Sequence, residues 1–529
     1  MLTLQGVTYT HPNRDLLFSN IHVNIGQHDK VAFIGNNGTG KSTLLKIFAG
    51  QLHPASGMVK AEEKPYYVPQ LLDEWNGATI AAVLQVEDKL HALKKILNGD
   101  LSAEALELIN DDWTIEERCS EAFAYWQLNG IDLSHKMDTL SGGQKTKVLL
   151  AGIMIHRPKI VLLDEPSNHL DASGRNILYE YIKTTHDTLV VVSHDRTLLN
   201  LLDTMYELSN KGITPYGGNY DFYTLQKSNE NNALGHDLKS AEKALRKARK
   251  IEKESIERQQ KLDARGKKKQ EKAGLPTISM NTFRNNAERS TARMKGVHAE
   301  KIGNLSNDLN ELRAALPGTD KMKMGFDDSA LHNGKILVTA KEINFSYGEQ
   351  MLWHNALSFQ ITSGERISVE GANGSGKTTL IKIITGSIQP GVGTIERANL
   401  RHIYIDQDYS FIDNTLSVYE QAELVNTGVF QEHEIKIRLN RFLFTKEYWD
   451  KPCAVLSGGE KMRLMLCCLT IINQAPDLIV LDEPTNNLDI HNVGILTEAI
   501  NEYTGTVLVI SHDKYFLSQI KTVRAIELA

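Results

Sequence analysis

The chain has 529 residues, 41% hydrophobic and 23% charged, with a formal net charge of −6. Those proportions suit a folded protein of about three or four domains and exclude fibrous and wholly disordered classes. No apolar run approaches the roughly 20 residues that span a bilayer, and the opening MLTLQGVTYTHPNRD has neither the basic nor the apolar segment of a secretory signal. The four cysteines, Cys119, Cys453, Cys467 and Cys468, form no CxxC pair. A disulfide framework, a structural zinc and an iron–sulfur site are therefore not expected, and a reducing cytosol is.

In chain order, the first segment that carries chemistry is KVAFIGNNGTGKSTLLKIFAG at 30–50. An apolar strand runs into Gly35, Asn36, Asn37, Gly38, Thr39, Gly40, Lys41 and Ser42, then Thr43 and a helix, which is the setting of a phosphate-binding loop. Its glycines let backbone N–H groups close around phosphate oxygens, and the helix N-terminus adds positive partial charge. Lys41 is placed to reach the β- and γ-phosphates and Ser42 to ligate magnesium. Gln70 stands 29 residues beyond Lys41. LSGGQ at 140–144 precedes an apolar helix, so Ser141, Gly142 and Gly143 form an anion site without a lysine. The strand IVLLD ends in Asp164, suited to magnesium, and Glu165, suited to polarise an attacking water, worth about 10²- to 10⁴-fold in rate. SNHLD, closing at Asp171, and VVVSHD follow; His194 lies 23 residues after Asp171.

The next hundred residues differ in kind. Between Lys239 and Lys301 there are 19 Lys and Arg against 8 Asp and Glu, a net of +11, which leaves −17 for the rest of the chain. Such asymmetry is a footprint for a polyanion. Leu238, Ala241, Leu245, Ala248 and Leu262 share one helical stripe, and Ile302, Leu305, Leu309, Leu312 and Leu316 a second. Between them Gly266, Gly274 and Pro276 break a helix. The pattern predicts two long antiparallel helices with a basic tip near 263–285 that holds Lys267, Lys268, Lys269 and Lys272. Phe283 is the one aromatic residue from Lys239 to Lys301, so binding is expected through phosphates and shape, as for structured RNA, rather than by base stacking.

The chain then repeats its first part. RISVEGANGSGKTTLIKIITG at 366–386 supplies Gly371, Ala372, Asn373, Gly374, Ser375, Gly376, Lys377, Thr378 and Thr379; Gln407 follows 30 residues after Lys377. LSGGE at 456–460 supplies Ser457, Gly458 and Gly459. LIVLDEPTNNLD at 478–489 supplies Asp482 and Glu483, and VLVISHD supplies His512, again 23 residues after Asp489. From glutamine to signature serine is 71 residues in the first copy and 50 in the second, so the first carries an insert of about 21 residues around VEDKLHALKKILNGDLSAEAL. Unalternating Val/Ile-rich strands between helical stretches predict a doubly wound α/β fold with a mostly parallel sheet. The expected domains are 1–218, with a short helical arm about 86–110, then the linker 219–325, then 326–529.

These motifs, in this order, resemble the ATP-binding cassette (ABC) ATPases over both modules. Cassette, basic helical linker, cassette, together with YGGNYDFY at 216–223 and the position of the insert, resembles the ABC-F family. The resemblance implies two P-loop ABC ATPase domains joined by a long antiparallel helical hairpin. It implies an intramolecular head-to-tail sandwich in a monomer, with two ATPs and magnesium between the cassettes. One site would combine Lys41, Ser42, Gln70, Asp164, Glu165 and His194 with Ser457, Gly458 and Gly459. The other would combine Lys377, Thr378, Gln407, Asp482, Glu483 and His512 with Ser141, Gly142 and Gly143. Gln70 and Gln407 would join the magnesium shells, and both histidines would contact the γ-phosphate. Tyr347 matches the family's adenine-stacking aromatic; the first module has His11 there, with Tyr9 two residues earlier, which leaves open whether His11 stacks or Tyr9 is a core residue and adenine is held more loosely. The family acts on ribosomes in the cytoplasm, its linker near the peptidyl-tRNA and the peptidyl transferase centre of the large subunit. Its members divide into translation factors and antibiotic-resistance proteins that protect the ribosome. The ATPase subunit of a multi-subunit ABC transporter is the alternative. Repair and chromosome ATPases, which insert coiled coils within a cassette, and the cysteine-rich recycling factor fit less well.

Overall fold

The structure, a computed structural model, describes every residue except 13, 71–74, 76, 100–101, 210–211, 273–276, 316–331, 333, 349, 408, 473, 487 and 529. The side chains of 263, 266–272, 277–288, 290–291, 294–295 and 314–315 also lie outside the description. The chain divides into two units, Met1–Tyr220 with Met322–Ala529, and Asp221–Lys321.

The first unit holds the same architecture twice. In the first module the strands are β1 (Leu2–Thr10), β2 (Leu16–Ile25), β3 (Lys30–Ile34), β4 (Ser56–Ala61), β5 (Tyr66–Val68), β6 (Ile160–Asp164), β7 (Thr188–Val192), β8 (Thr204–Ser209) and β9 (Gly212–Gly217). An antiparallel sheet has the order β2-β1-β4, and the larger sheet runs β5-β6-β7-β3-β8-β9, parallel except for the last pair. The second module has β10 (Ile336–Asn344), β11 (Leu357–Thr362), β12 (Arg366–Glu370), β13 (Val392–Arg397), β14 (His402–Ile405), β15 (Leu478–Asp482), β16 (Thr506–Ile510) and β17 (Arg524–Glu527). There the antiparallel order is β11-β10-β13 and the parallel order β14-β15-β16-β12-β17.

Every residue of β6 and β7 is buried, which is why these runs show no alternation. The helix Lys41–Phe48 covers this sheet with Leu44, Leu45, Ile47 and Phe48, in one core with Phe33, Ile160 and Val190. Each such side chain contributes about 1.5–3 kcal/mol on burial. Parallel register sets Asp164 beside Val192 and Asp482 beside Ile510, so both aspartates close a strand at the carboxyl edge of the sheet. The insert folds as two short helices, Glu87–Leu97 and Ala103–Ile109. Asp112 fixes the first of them by accepting from Lys89 (2.8 Å) and from Arg118 of the next helix (2.8 Å), and the Arg118 guanidinium holds its carboxyl down at about 2.

Among the described residues, the second unit is made of the helix Tyr220–Lys272, from Asp221 onward, and the helix Thr277–Ala315. Arg313 donates to Glu242 at 2.8 Å across 71 residues, so the second helix returns along the first; Leu245, Ala248 and Leu309 are buried. Two expectations are corrected. The first helix passes through Gly266 and is described as far as Lys272, because a single glycine costs a helix only about 1 kcal/mol. Leu262 is half exposed and lies outside the packed stripe. Gly274, Pro276 and Leu316, and the side chains of Lys267, Lys268, Lys269, Lys272 and Phe283, fall outside the described residues. Among the described residues no helix is long and apolar enough to cross a membrane.

One packing detail ties the signature helix to the sheet. A Cβ at Gly152, in the helix Gly142–His156, would lie 1.9 Å from the Tyr66 hydroxyl, which donates to Leu149 O at 3.0 Å. Gly152→Ala should displace that tyrosine and lower stability by about 1–3 kcal/mol, read as a lower urea midpoint for the full chain. Tyr66→Phe in the same chain should recover part of the loss. An unchanged midpoint for Gly152→Ala contradicts the packing described.

Candidate nucleotide sites

Both Gly-rich loops have the form that phosphate binding requires. Gly40 and Gly376 sit before their helices with φ of 96° and 91°, and neither helix has a side-chain cap, which leaves its first N–H groups directed at the loop. A Cβ at Gly40 would meet Leu17 at 2.7 Å, and one at Gly376 would meet Leu352 at 2.5 Å, so only glycine fits. Lys41 arches back to donate to Gly35 O (2.8 Å) and Asn36 O (3.0 Å). Lys377 repeats this on Gly371 O (2.8 Å) and Ala372 O (3.0 Å). Thr39 donates to Asn36 O, Ser375 turns the second loop by its N–H to Ala372 O, and the Ser375 hydroxyl is buried without a partner among the described residues. Gly38, Thr43 and Gln70 line a cleft of about 390 Å³ with Lys41 and Glu165.

At the base of each loop a hydroxyl meets an aspartate. Ser42 Oγ donates to Asp164 Oδ1 at 3.0 Å and Thr378 Oγ1 to Asp482 Oδ2 at 3.4 Å. A second donor holds each carboxylate: Tyr67 Oη to Asp164 (3.2 Å) and Tyr404 Oη to Asp482 (2.8 Å). Among the described residues no three His, Cys, Asp or Glu are grouped to hold a metal. A hydroxyl beside one carboxylate at each loop suits magnesium, which keeps few protein ligands and takes the rest from water and nucleotide oxygens. Gln407 is half-buried shortly beyond β14.

The residues after the aspartates are unusual in backbone as well as chemistry. Glu165 and Glu483 have φ of 50° and 48°, and their N–H groups donate to Val192 O (2.8 Å) and Ile510 O (2.9 Å) of the next strand. Backbone held in this region costs free energy and is concentrated at functional positions. His194 Nε2 lies 3.4 Å from Glu165 Oε1, and His512 Nε2 3.4 Å from Glu483 Oε1. Burial pushes the Glu165 carboxyl up, with Asp164 adding to it, and pushes the His194 imidazole down. In the second module burial raises Glu483 to about 7 and lowers His512 to about 4. Glu165 Oε1, both Glu483 oxygens, His194 Nδ1 and His512 Nε2 are buried without hydrogen-bond partners among the described residues. Such a set fits a group that brings its own phosphate oxygens and water.

Both signatures are helix caps. Ser141 Oγ accepts from the Gln144 N–H while Gln144 Oε1 accepts from the Ser141 N–H; Ser457 and Glu460 repeat this capping box. The two modules also touch through these parts. Asn373 Nδ2 donates to His169 O at 3.2 Å, and a Cβ at Gly143 would fall 2.7 Å from the same oxygen and 3.6 Å from Asn373 Nδ2. The first signature, with Gly142 against the His169 ring, thus lies at the second loop. At the first loop, Asn37 N donates to Asp489 Oδ2 at 3.0 Å, while Asp489 Oδ1 caps its own helix through Asn492 N. Ser457 and Gly458 open the helix Gly458–Ile471, with Gly459 against Asn492. Further out, Arg196 donates to Gln519 and Asn200 to Tyr515, each at 3.0 Å.

The aromatic positions separate. Tyr9 packs on Phe18 in the core and meets His11 edge-on at 5.7 Å, while His11 lines the first cleft with Leu17. Tyr347 is 70% exposed, and its hydroxyl is 3.1 Å from Thr379 Oγ1. The sequence reasoning passed over Tyr67 and Tyr404. Their signal was there, since each stands three residues before the glutamine of its module. Leu17, Leu352 and the cross-module contact of Asp489 were also passed over.

The ABC transporter family model matches residues 18–168 and 354–486. YfmM of Bacillus subtilis (strain 168), called an uncharacterized ABC transporter ATP-binding protein, is 30% identical, covering 96% of this chain and 94% of that one. ABC transporter F family member 5 of Arabidopsis thaliana is 30% identical over 93% of this chain and 70% of its own. Archaeal ribosome recycling factor aABCE1, solved with the archaeal ribosomal stalk protein aP1, shares the fold with a TM-score of 0.60 at 20% identity, covering 99% of this chain and 87% of that one. The chain belongs to the ABC-F family and is an ATPase with two cassettes.

If the tyrosines hold the magnesium-side carboxylates, Tyr67→Phe with Tyr404→Phe removes about 1 kcal/mol of hydrogen bonding at each. The magnesium concentration for half-maximal ATPase activity should rise about fivefold, while ATP hydrolysis at saturating magnesium stays within tenfold. An unchanged magnesium titration contradicts this role.

Proposed function

We propose that this ATPase works on the ribosome in the cytoplasm, using the interdomain linker near the peptidyl-tRNA and the peptidyl transferase centre, either as a translation factor or in antibiotic resistance by ribosome protection. The observation that carries this reading is the +11 helical hairpin between two cassettes in an otherwise acidic chain. Charge of that sign on helices suits RNA phosphates. A further neighbour of the same fold, with a TM-score of 0.56 at 19% identity, is an archaeal ABCE1 in a ribosome-bound model with Pelota.

At each nucleotide site the proposed roles follow from position. ATP with magnesium supplies the phosphoanhydride and the charge that neutralises it. Lys41 and Lys377 stabilise the β- and γ-phosphates. Ser42, Gln70 and Asp164 at one site, and Thr378, Gln407 and Asp482 at the other, would hold the magnesium, which would neutralise phosphate charge. Glu165 and Glu483 take a proton from the attacking water, their raised basicity suiting work near neutral pH. His194 and His512, kept neutral by burial, hydrogen-bond the γ-phosphate. The signature of one module closes the site of the other, so hydrolysis reports whether the cassettes are shut.

Glu165→Gln with Glu483→Gln should keep ATP binding, cut hydrolysis at least about 10²-fold, and trap the chain on ribosomes sedimented with ATP. Hydrolysis within twofold of wild type removes the base assignment. Replacing Lys267, Lys268 and Lys269 with glutamine should reduce the slope of log affinity against log salt by about 2, since each phosphate contact contributes about 0.7. No ribosome sedimentation in any nucleotide state favours the transporter-motor alternative.

A further inference from the structure

The residues just after the two histidines of the nucleotide sites touch across the modules. Arg196 Nη1 donates to Gln519 Oε1 and Asn200 Nδ2 to Tyr515 Oη, each at 3.0 Å. Arg196 opens one short helix and Asn200 caps its end; Tyr515 and Gln519 lie in another, Lys514–Gln519. Both pairs are spaced by four residues, so each occupies one helical face. Residue 196 meets 519 and residue 200 meets 515, so the two helices run antiparallel. Arg196 is 9% exposed, so its bond is made out of water, where a charged donor counts most.

Each helix is fastened to its histidine. Asp195 N donates to Ser193 Oγ at 3.1 Å, and Asp195 Oδ1 accepts from Thr197 N at 3.0 Å and Leu198 N at 3.2 Å. His194, between that serine and that aspartate, donates its N–H to Glu165 at 3.2 Å. In the second module Asp513 N donates to Ser511 Oγ at 3.1 Å, and Asp513 Oδ1 accepts from Phe516 N at 3.0 Å. A histidine that shifts toward a phosphate therefore carries its helix along, and that helix carries its partner across the boundary.

The contact is built once rather than twice by symmetry. Counted from the histidines, Arg196 corresponds to Lys514, Gln519 to Leu201, Asn200 to Ser518 and Tyr515 to Thr197. Exchanging the modules would set a lysine against a leucine, and the Ser518 hydroxyl donates to Tyr515 O of its own helix at 2.8 Å. Both donors come from the first module and both acceptors from the second. The shared motifs, which repeat in both modules, do not account for it.

We propose that Arg196, Asn200, Tyr515 and Gln519 are positioning residues that join the two histidine loops, so that nucleotide at one site raises the affinity of the other. The inference rests on the reading that Lys41 and Lys377 hold the phosphates. A coupling of this kind is reciprocal: whatever factor the first site confers on the second, the second confers on the first. Arginine suits the buried half of the contact because its charge persists on burial and its planar fork fixes the direction of the bond.

The test titrates a fluorescent, non-hydrolysable ATP analogue with magnesium into the full-length chain, so that the catalytic base plays no part. Lys41→Ala leaves the second site to be measured alone, and Lys377→Ala the first. The product of these two dissociation constants should exceed the product for filling both sites of the wild-type chain about tenfold. With Tyr515→Phe and Gln519→Leu added to all three chains, that ratio should fall to within twofold of one. Arg196→Gln should lower it as well, and Gln519→Arg in the same chain, which exchanges donor and acceptor, should restore it to about threefold or more. Unfolding midpoints of all variants check that the fold holds. A ratio near one in the wild-type chain overturns the inference, as does a tenfold ratio that survives Tyr515→Phe with Gln519→Leu, or failure of the exchange to restore it. Failure of the phosphate reading shows separately, as two nucleotides still bound at wild-type affinity by the Lys41→Ala, Lys377→Ala chain, and overturns the inference with it.

Discussion

Each module depends on carrying two adjacent carboxylates to the closed end of a parallel sheet. Asp164 and Glu165 are 1% and 7% exposed. An ionised carboxylate taken out of water without partners costs several kcal/mol, so the surroundings must either neutralise it or let its basicity rise. Burial raises the basicity of both carboxylates, and hydroxyl donors oppose the rise at the aspartate. The aspartate is held by a hydroxyl from the Gly-rich loop and another from the tyrosine of the neighbouring strand. Glu165 receives the His194 backbone N–H on one oxygen, and its other oxygen, 3.4 Å from His194 Nε2, has no hydrogen-bond partner among the described residues. One sheet edge thus presents a carboxylate held by hydroxyls and, a residue later, a carboxyl whose basicity is raised by burial. The left-handed turn at the glutamate is what separates their surroundings, sending one side chain to the hydroxyls and the next to the histidine.

The second constraint is that the two modules meet at their Gly-rich loops. Asp489 begins a helix by capping it and with its other oxygen holds Asn37 of the opposite loop. A cap and a cross-module contact on one carboxylate couple local helix stability to the seating of the modules. On the other side the connection runs through His169 and Asn373, backbone to side chain, and brings Gly143 into the same spot. The repeat is therefore symmetric in architecture and unsymmetric in its contacts. A duplicated gene can keep both folds while the two faces diverge, because the motifs constrain phosphate geometry and leave the surrounding helices free.

Much of this was legible in the sequence because it is written in residues with few alternatives. Glycine at positions of positive φ, a lysine and hydroxyl after them, and acids closing a Val/Ile run can be read without coordinates, and the duplication checks each reading against its copy. The parallel order of strands followed from the absence of alternation. What escaped was whatever depended on distance across the fold. Tyr67 and Tyr404 read as ordinary strand residues, although their hydroxyls reach carboxylates 97 and 78 residues away. The dual use of Asp489 needs two modules placed face to face. Gly266 misled because composition reports a residue's average cost, whereas a 53-residue helix has neighbours enough to absorb it. In the insert, the length difference between copies located the helices, but the Asp112 clamp that holds them lay beyond any motif.

The two cassettes of one chain face each other through their loops. Cysteines at Asn200 and Tyr515, whose side chains meet at 3.0 Å across the modules, test it directly when treated with a short bis-maleimide in the full-length chain. The native cysteines are all buried and serve as the internal control. Rapid linkage within single molecules is expected, faster with ATP than with ADP in the Glu165→Gln, Glu483→Gln chain, and identified by mass spectrometry as one joined peptide pair. Linkage only between separate molecules, or none in any nucleotide state, would contradict it.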